Sequence, residues 1–380
     1  VGFYSAKQES FLTDKDRDAD GNFDSLYGEV QELREKNYYF KLGRHQQWLI
    51  DYIEANPDFV APDYRRNEVL GFLKNEKLED LCISRPRERL EWGIPLPFDA
   101  DYVTYVWFDA LTNYLSIPRA RGEEAELWPA DIHVIGKDIL KFHAVYWPIM
   151  LKAAGLALPK QVLVHGWWQK DNQKMSKSIG NVVDPITVID DWGLDAFRYY
   201  VVRELAIGPD GNWTDESFAN RYHAELANGL GNLVNRSLSM LTRYREGIVP
   251  PQHDELAAEA IAVRNKLVSE LKSNELQAGL MTIWSFIARM NQYVDETAPF
   301  KLAKDPEQTD RLGEVLYNLA EGCRLLAIWL QPYLPTTSQR IMEQLGLPTD
   351  LANIAEEDWG GLNAAHKTNP PEALFPRRDK

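Results

Sequence analysis

Near Pro185 the chain changes rhythm. From there on, apolar residues recur three and four positions apart through Asp195–Leu205, Ala219–Arg245, Leu256–Ser273, Leu276–Asp295 and Arg311–Leu330. That is the period of amphipathic helices, and such a succession implies a helical bundle. Before that point, short β-branched and aromatic runs at Val103–Phe108, Ile132–Ile135 and Gln161–Val164 alternate with helical patterns at Ala110–Ile117 and Ile139–Ala154. Strands that alternate with helices predict βαβ units and a parallel sheet. The expected fold class is therefore α/β around a parallel sheet, followed by an all-α bundle. Further amphipathic helices are expected at His45–Ala55 and Asn67–Asn75, and Val1–Leu12 reads as a strand already in progress. The polar stretch Lys15–Asp24 has the acidic residues of a calcium loop, but Phe11–Asp14 is a poor entering helix, so it reads as a solvated turn. The Pro-rich, polar tail from Gly346 is expected to pack loosely.

Composition narrows the class. The 380 residues suggest two or three domains, and 44% hydrophobic with 26% charged residues excludes disorder as the main state. No run of 18 apolar residues is present, so no transmembrane helix is expected. The two cysteines, Cys82 and Cys323, are far apart. They exclude a disulfide framework and a Cys-rich zinc site within this chain, and they fit a reducing compartment. A net charge of −15 argues against a general nucleic-acid coat protein but leaves room for a local basic face.

In an open α/β sheet, ligands bind at the carboxyl ends of the strands. Here the three runs lead into Trp107-Phe108-Asp109-Ala110, Gly136-Lys137-Asp138 and His165-Gly166-Trp167-Trp168. Such residues at three strand ends predict one site. His143 and Trp147 are four apart, as are Ala110 and Tyr114, so each pair shares a helix face. Two such helices facing one crevice make Trp107, Ala110, Tyr114, His143 and Trp147 an aromatic pocket. It would suit a modest apolar side chain with a polarisable atom, because sulfur packs well against rings. Periodicity alone favours plain core packing for Tyr114 and Trp147. Gly136 lets a ligand approach the backbone, and the helix N-terminus after it favours anions. Lys137 adds positive charge and Asp138 an acceptor, although a Lys-Asp pair is also a common helix cap. The sharpest signal is Lys174-Met175-Ser176-Lys177-Ser178, followed by Ile179-Gly180-Asn181. Two lysines three apart in a polar, serine-containing loop suit a polyphosphate and the charge that grows on a leaving pyrophosphate. A solvated basic loop explains the lysines but not the ordered string.

KMSKS at 174–178 is the signature loop of class I aminoacyl-tRNA synthetases. The flanking text narrows this, and nearly the whole chain resembles the methionyl-tRNA synthetase family. The matching stretches are YYFKL (38–42), RRNEVLGFLK (65–74), ISR (83–85), WGIPLP (92–97), YVWFDALTNYL (105–115), GKDILKFHAVYWP (136–148), HGWW (165–168), KMSKSIGNVVDP (174–185) and LANGLGNLVNR (226–236). KMSKS alone would leave the leucyl, isoleucyl, valyl and cysteinyl enzymes open. The resemblance implies a Rossmann-like catalytic half-domain over 44–184, preceded by a remnant of the connective domain at 1–43. Stem-contact helices would follow at 185–218, an α-helical anticodon-binding domain at 219–345 and an extension at 346–380. It implies that Trp107, Ala110, Tyr114, His143 and Trp147 line a methionine pocket. Gly136 and Asp138 would hold the adenosine ribose, with Lys137 near the phosphates. His165 and Gly166 would lie against adenine. Lys174, Met175, Ser176 and Lys177 would contact ATP, with Lys174 and Lys177 stabilising adenylation and Arg85 as a further active-site arginine. Asn228, Asn232 and Arg236, at four-residue spacing on one face, would read the CAU anticodon with Phe300 as a stacking ring. Without the family, that spacing equally describes a polar helix face. The implied partners are L-methionine, ATP with magnesium carried on its phosphates, and initiator and elongator tRNA(Met). The implied setting is cytoplasmic, away from membranes.

Three departures from the family pattern stand out. The HIGH motif is absent and would precede Val1, which suggests a catalytically incomplete fragment. Positions 1–43 hold no cysteine, as in the zinc-free branch. Where the family has a Pro-Trp pair for anticodon stacking, this chain has Pro299-Phe300. One alternative is a tRNA(Met)-binding module without catalysis. Another class I synthetase is disfavoured by the Trp107, His143 and Trp147 set.

Overall fold

The computed structural model describes residues 2–5, 10–12, 17–18, 21–24, 27–33, 36–176, 180–350 and 353–377. The chain forms two compact units, Val1–Val164 and His165–Lys380.

The first unit opens with β1 (Gly2–Ser5), which pairs antiparallel with β2 (Ser10–Leu12) and β3 (Val30–Leu33). The single strand expected over Val1–Leu12 is thus two strands. In the polar stretch, Arg17 bridges Phe23 and Asp18 accepts from the Asn22 N–H, the bonding of a turn. Next come β4 (Tyr39–Phe40), α1 (Gln46–Ala55), β5 (Val60–Ala61), α2 (Asp63–Asn75), β6 (Leu81–Cys82), β7 (Ser84–Pro86), β8 (Pro95–Leu96) and β9 (Asp99–Thr104). Then follow α3 (Val106–Ala110), α4 (Asn113–Arg121), α5 (Glu124–Leu127), β10 (Ile132–Gly136), α6 (Trp147–Ala154) and β11 (Gln161–His165). The central sheet runs β10-β11-β5, with β11 parallel to β5 and Val162 opposite Val60. Leu49 and Ile53 of α1 and Val69 and Leu73 of α2 pack with Val60, Ile135, Val162 and Val164 in one buried core. Each such side chain stabilises the unit by roughly 1.5–3 kcal/mol.

One strand assignment from the sequence does not hold. Val103–Phe108 is not a strand of the parallel sheet. Val103 and Thr104 end β9, which lies antiparallel between β7 and β8, and the helix α3 starts at Val106. A short run of branched and aromatic residues suits either element, and packing decides. The helix expected over Ala110–Ile117 is broken at Leu111–Thr112. There Thr112 Oγ1 donates to the Asp109 carbonyl at 2.6 Å and Asn113 donates to that of Ala110, diverting backbone acceptors. The helix expected over Ile139–Ala154 is entered through a 3₁₀ turn at Lys137–Ile139 and contains a π-helix at Phe142–Tyr146, where the Trp147 N–H reaches back five residues to Phe142.

The second unit begins with β12 (Trp168–Lys170), paired antiparallel with β13 (Gln173–Lys174) and parallel with β14 (Gly211–Trp213). Its helices are α7 (Pro185–Trp192), α8 (Leu194–Glu204), α9 (Asp215–Arg221), α10 (Asn232–Arg245), α11 (Ala257–Lys272), α12 (Leu276–Thr297), α13 (Pro299–Leu302), α14 (Thr309–Leu330) and α15 (Pro335–Leu345). The caps follow their residues. The Asp184 carboxylate accepts from Ile186 N ahead of Pro185, and Thr214 Oγ1 accepts from Ser217 N. α14 is buried on every side from Val315 to Leu330, the mark of a central helix. A π-helix, Tyr222–Gly231, joins α9 to α10 within what the sequence reads as one continuous helix. No helix among the described residues is long and apolar enough to cross a membrane.

The tail does not pack loosely. Leu362 and Leu374 are buried in the bundle core. The fully buried Glu321 carboxylate accepts the N–H groups of Gly360, Gly361 and Leu362 at 2.8, 2.9 and 3.0 Å. Arg324 pairs with Glu321 at 2.7 Å and reaches Glu357 at 2.8 Å. Polar composition concealed this, because the tail docks through scattered apolar anchors and through its backbone rather than through a periodic apolar face.

Candidate functional site

Of the predicted pocket residues in the first unit, Tyr114, His143 and Trp147 come together, and Trp107 shares the apolar cluster of Tyr114 and Trp147. Tyr114, just inside α4, points its hydroxyl at His143 Nε2, 2.9 Å away. His143 Nδ1 lies 3.0 Å from the Ile139 carbonyl, which can only accept. Nδ1 therefore carries the proton, and a neutral ring leaves Nε2 to accept from Tyr114. Burial holds the His143 pKa below the ordinary histidine value, partly offset by the Ile139 hydrogen bond. The π-helix places His143 here, as such bulges often do at sites. Trp147 is buried, its ring centroid 6.3 Å from that of Tyr114. Trp107 stacks on Phe142 at 3.9 Å, and Ala110 ends α3 half-buried. The result is a neutral, aromatic wall. Its one hydroxyl has committed its proton to His143 and offers lone pairs instead.

Three members were missed from sequence. His133 lies against Tyr114, with ring centroids 4.3 Å apart. Trp128 bridges His133 and Trp147 at 6.2 and 5.9 Å. The third is Phe142. The period-two alternation of β10 puts His133 on the same face as Ile135, so the signal for it was present. Nothing in the pattern around Trp128 marks it. His133 has its pKa pushed down to about 4, first by burial and then by His143.

Gly136 closes β10 in extended conformation, with Lys137 half-buried and Asp138 exposed beside it. The helix N-terminus expected here is only the 3₁₀ turn Lys137–Ile139. Arg85 lies on β7, half-buried. Its Nη1 donates to the Ser84 carbonyl at 2.8 Å and contacts Cys82 Sγ at 3.2 Å, and its guanidinium lies over Tyr105.

In the second unit, Lys174 is exposed at the end of β13, and its ammonium sits 4.1 Å from the Trp167 ring centroid. The β12–β13 hairpin turns on Asp171 and Asn172 at φ 51° and 62°, the two-residue turn that suits strand twist. Met175 packs against the bundle core. Asn181, quoted above only as part of the string, clips the loop. Its Oδ1 accepts from Ser176 N at 2.8 Å, and its Nδ2 donates to the Lys174 carbonyl at 3.2 Å. Lys177, Ser178 and Ile179 lie outside the described residues. His165 is exposed and donates from Nδ1 to the Gly166 carbonyl at 2.8 Å. At Gly166 a Cβ would fall 2.0 Å from the Pro209 carbonyl oxygen, so a close backbone approach already requires glycine.

Asn228 lies in the π-helix and Asn232 opens α10. Both are exposed, and Arg236 is half-exposed, 3.8 Å from Asp295. Phe300, on α13, is exposed. Among the described residues, His253, Glu255 and Glu314 form a cluster of cation-ligand type in the second unit, where Arg311 pairs with both glutamates.

A profile of the family described as tRNA synthetases class I (M) matches residues 22–238. The chain is similar to the methionine–tRNA ligase of Clostridium tetani (strain Massachusetts / E88), 44% identical over 389 aligned positions, covering 100% of this chain and 60% of that protein. It is 40% identical to the methionine–tRNA ligase of Bacillus subtilis (strain 168), covering 99% of this chain and 60% of that one. The chain thus spans about 60% of the length of these relatives. Among solved structures it resembles Mycobacterium tuberculosis methionyl-tRNA synthetase bound by methionyl-adenylate, with TM-score 0.88 and 35% identity, over 99% of this chain and 76% of that one.

Proposed function

This chain belongs to the class I tRNA synthetase family, and from that premise we propose that it serves a methionine–tRNA ligase. L-Methionine lies against Trp107, Ala110, Tyr114, His143 and Trp147. Its carboxylate oxygen attacks the α-phosphorus of ATP, pyrophosphate leaves, and the methionyl group of the resulting methionyl-adenylate then passes to a hydroxyl at the 3′ end of initiator or elongator tRNA(Met), releasing AMP. No covalent enzyme intermediate is required, so catalysis is positioning plus charge stabilisation. Gly136, Lys137 and Asp138 serve the nucleotide, with His165 and Gly166 beside adenine. Lys174, Met175, Ser176 and Lys177 contact ATP, with Lys174 and Lys177 stabilising the adenylation transition state, and Arg85 is a further active-site cation. Magnesium enters with ATP on its phosphates. Asn228, Asn232, Arg236 and Phe300 form the anticodon face. The setting is cytoplasmic.

The observation that carries this reading is the neutral Tyr114–His143 pair set in rings. A side chain bearing sulfur gains dispersion against those rings, whereas a charged side chain finds no counter-charge. The test is amino-acid-dependent ATP–pyrophosphate exchange, on this chain and on a chain extended upstream. Methionine-dependent exchange supports the reading. Exchange with leucine, isoleucine, valine or cysteine instead overturns the pocket. No exchange in either form, with tRNA binding intact, makes this a tRNA-binding module.

A further inference from the structure

We propose that His133 is a positioning residue for the amino-acid pocket: its buried ring braces Tyr114 and so fixes the hydroxyl that holds His143. The inference rests on the methionine reading above. α4 is shallowly anchored, since Leu115 is its one buried residue. Tyr114 is therefore held mainly by the rings around it. Of these, His133 is the nearest, at 4.3 Å and 60°, against 5.6 Å for His143 and 6.3 Å for Trp147. Edge-on ring contacts of this kind are directional, so they set the orientation of Tyr114 as well as its depth.

His133 is also a costly choice for its position. It is 4% exposed on an inward-facing register of β10, where the neighbouring inward residue is Ile135. Its Nε2 is buried without a hydrogen-bond partner. Valine or leucine there would fill a strand interior without an orphaned nitrogen. A local rule broken this way is expected where a side chain serves a site. Trp128, 6.2 Å away, gives His133 a further ring neighbour. With His133 removed, the Tyr114 side chain can shift into the space left, which carries its hydroxyl away from His143 Nε2.

The test is calorimetric titration with L-methionine and with norleucine, which lacks the sulfur, on the form of the protein that supports exchange. His133→Leu is expected to weaken methionine about tenfold and to narrow the methionine-over-norleucine preference, with ATP affinity unchanged. His133→Phe, which keeps a ring, is expected to stay within about threefold of the unsubstituted protein. Because His133 acts through Tyr114, adding His133→Leu to Tyr114→Phe is expected to cost clearly less than the product of the two single effects. Methionine binding unaffected by His133→Leu overturns this inference alone, as does a fully multiplicative double variant. Should His133→Leu fail to fold, His133→Phe decides: a loss well beyond threefold overturns the bracing role. No methionine binding by the unsubstituted protein overturns the methionine reading, and this inference with it.

Discussion

Replacing Glu321 with alanine strikes the buried group on which the C-terminal tail converges. The side chain is fully buried, accepts three backbone N–H groups of Gly360–Leu362, and neutralises Arg324, itself 5% exposed. Alanine leaves those donors and the guanidinium without their acceptor. Breaking a buried pair from one side costs about 3–5 kcal/mol, because the remaining charge stays desolvated. Glu357 still faces Arg324 at 2.8 Å, which places the expectation near the lower end, about 3 kcal/mol. With a urea m-value of roughly 2 kcal/mol per molar, the midpoint of the second unit falls by about 1.5 M. The assay is urea unfolding combined with amide exchange read over residues 357–362. Exchange there should rise further than in α14, since the tail detaches before the helix opens. Glu321→Gln, which keeps one acceptor oxygen, is expected to lose less. A midpoint unchanged within error, or tail exchange no faster than before, would refute the argument that one carboxylate holds this segment.

Three further outcomes are expected. Tyr114→Phe leaves His143 Nε2 buried without a donor, a cost of about 1–3 kcal/mol, so methionine KM in pyrophosphate exchange rises about tenfold while kcat changes less; an unchanged KM would exclude the pair from recognition. His133 has its pKa held near 4 in the folded state against about 6.5 when unfolded, so between these values the unfolded chain binds more protons. Stability is then full above about pH 6.5 and lost as pH falls toward about 4, roughly 2 kcal/mol between about pH 7.5 and 5. His143 shifts in the same direction, and His133→Phe is expected to flatten the first unit's urea midpoint against pH. Gly166→Ala drives a Cβ into the Pro209 carbonyl and disturbs the bond from Trp167 N to Asp210; it is expected to destabilise the second unit by about 2 kcal/mol or more, measured by thermal unfolding.

The helical bundle was the most legible part of the chain. Leu276–Asp295 and Arg311–Leu330 follow a strict three-four period, and the helices end within two residues of it. Tyr114, His143 and Trp147 were named from four-residue spacing, and the structure sets their rings together although a helix break and a π-helix interrupt that spacing. Two things escaped. The π-helices at Phe142–Tyr146 and Tyr222–Gly231 leave no mark on apolar spacing, because one widened turn shifts the face only slightly. Val103–Phe108 escaped because a run of six residues, five of them apolar, does not state a period. His133 shows a different limit: alternation put it inside, but only tertiary contact with Tyr114 reveals what it is inside for. The tail was misread because its apolar anchors, Leu362 and Leu374 among them, follow no period and the rest of its docking runs through N–H groups, which every residue but proline carries.

The close approach at Gly166 bears on how substitution records are read. A position where any side chain would strike the Pro209 carbonyl at 2.0 Å tolerates one residue whatever ligand lies nearby. Invariance there would register the passage of one backbone segment over another. A survey that equated invariance with nucleotide contact would credit Gly166 with chemistry that belongs to loop packing. At His165, whose side chain is exposed, the same survey would be informative.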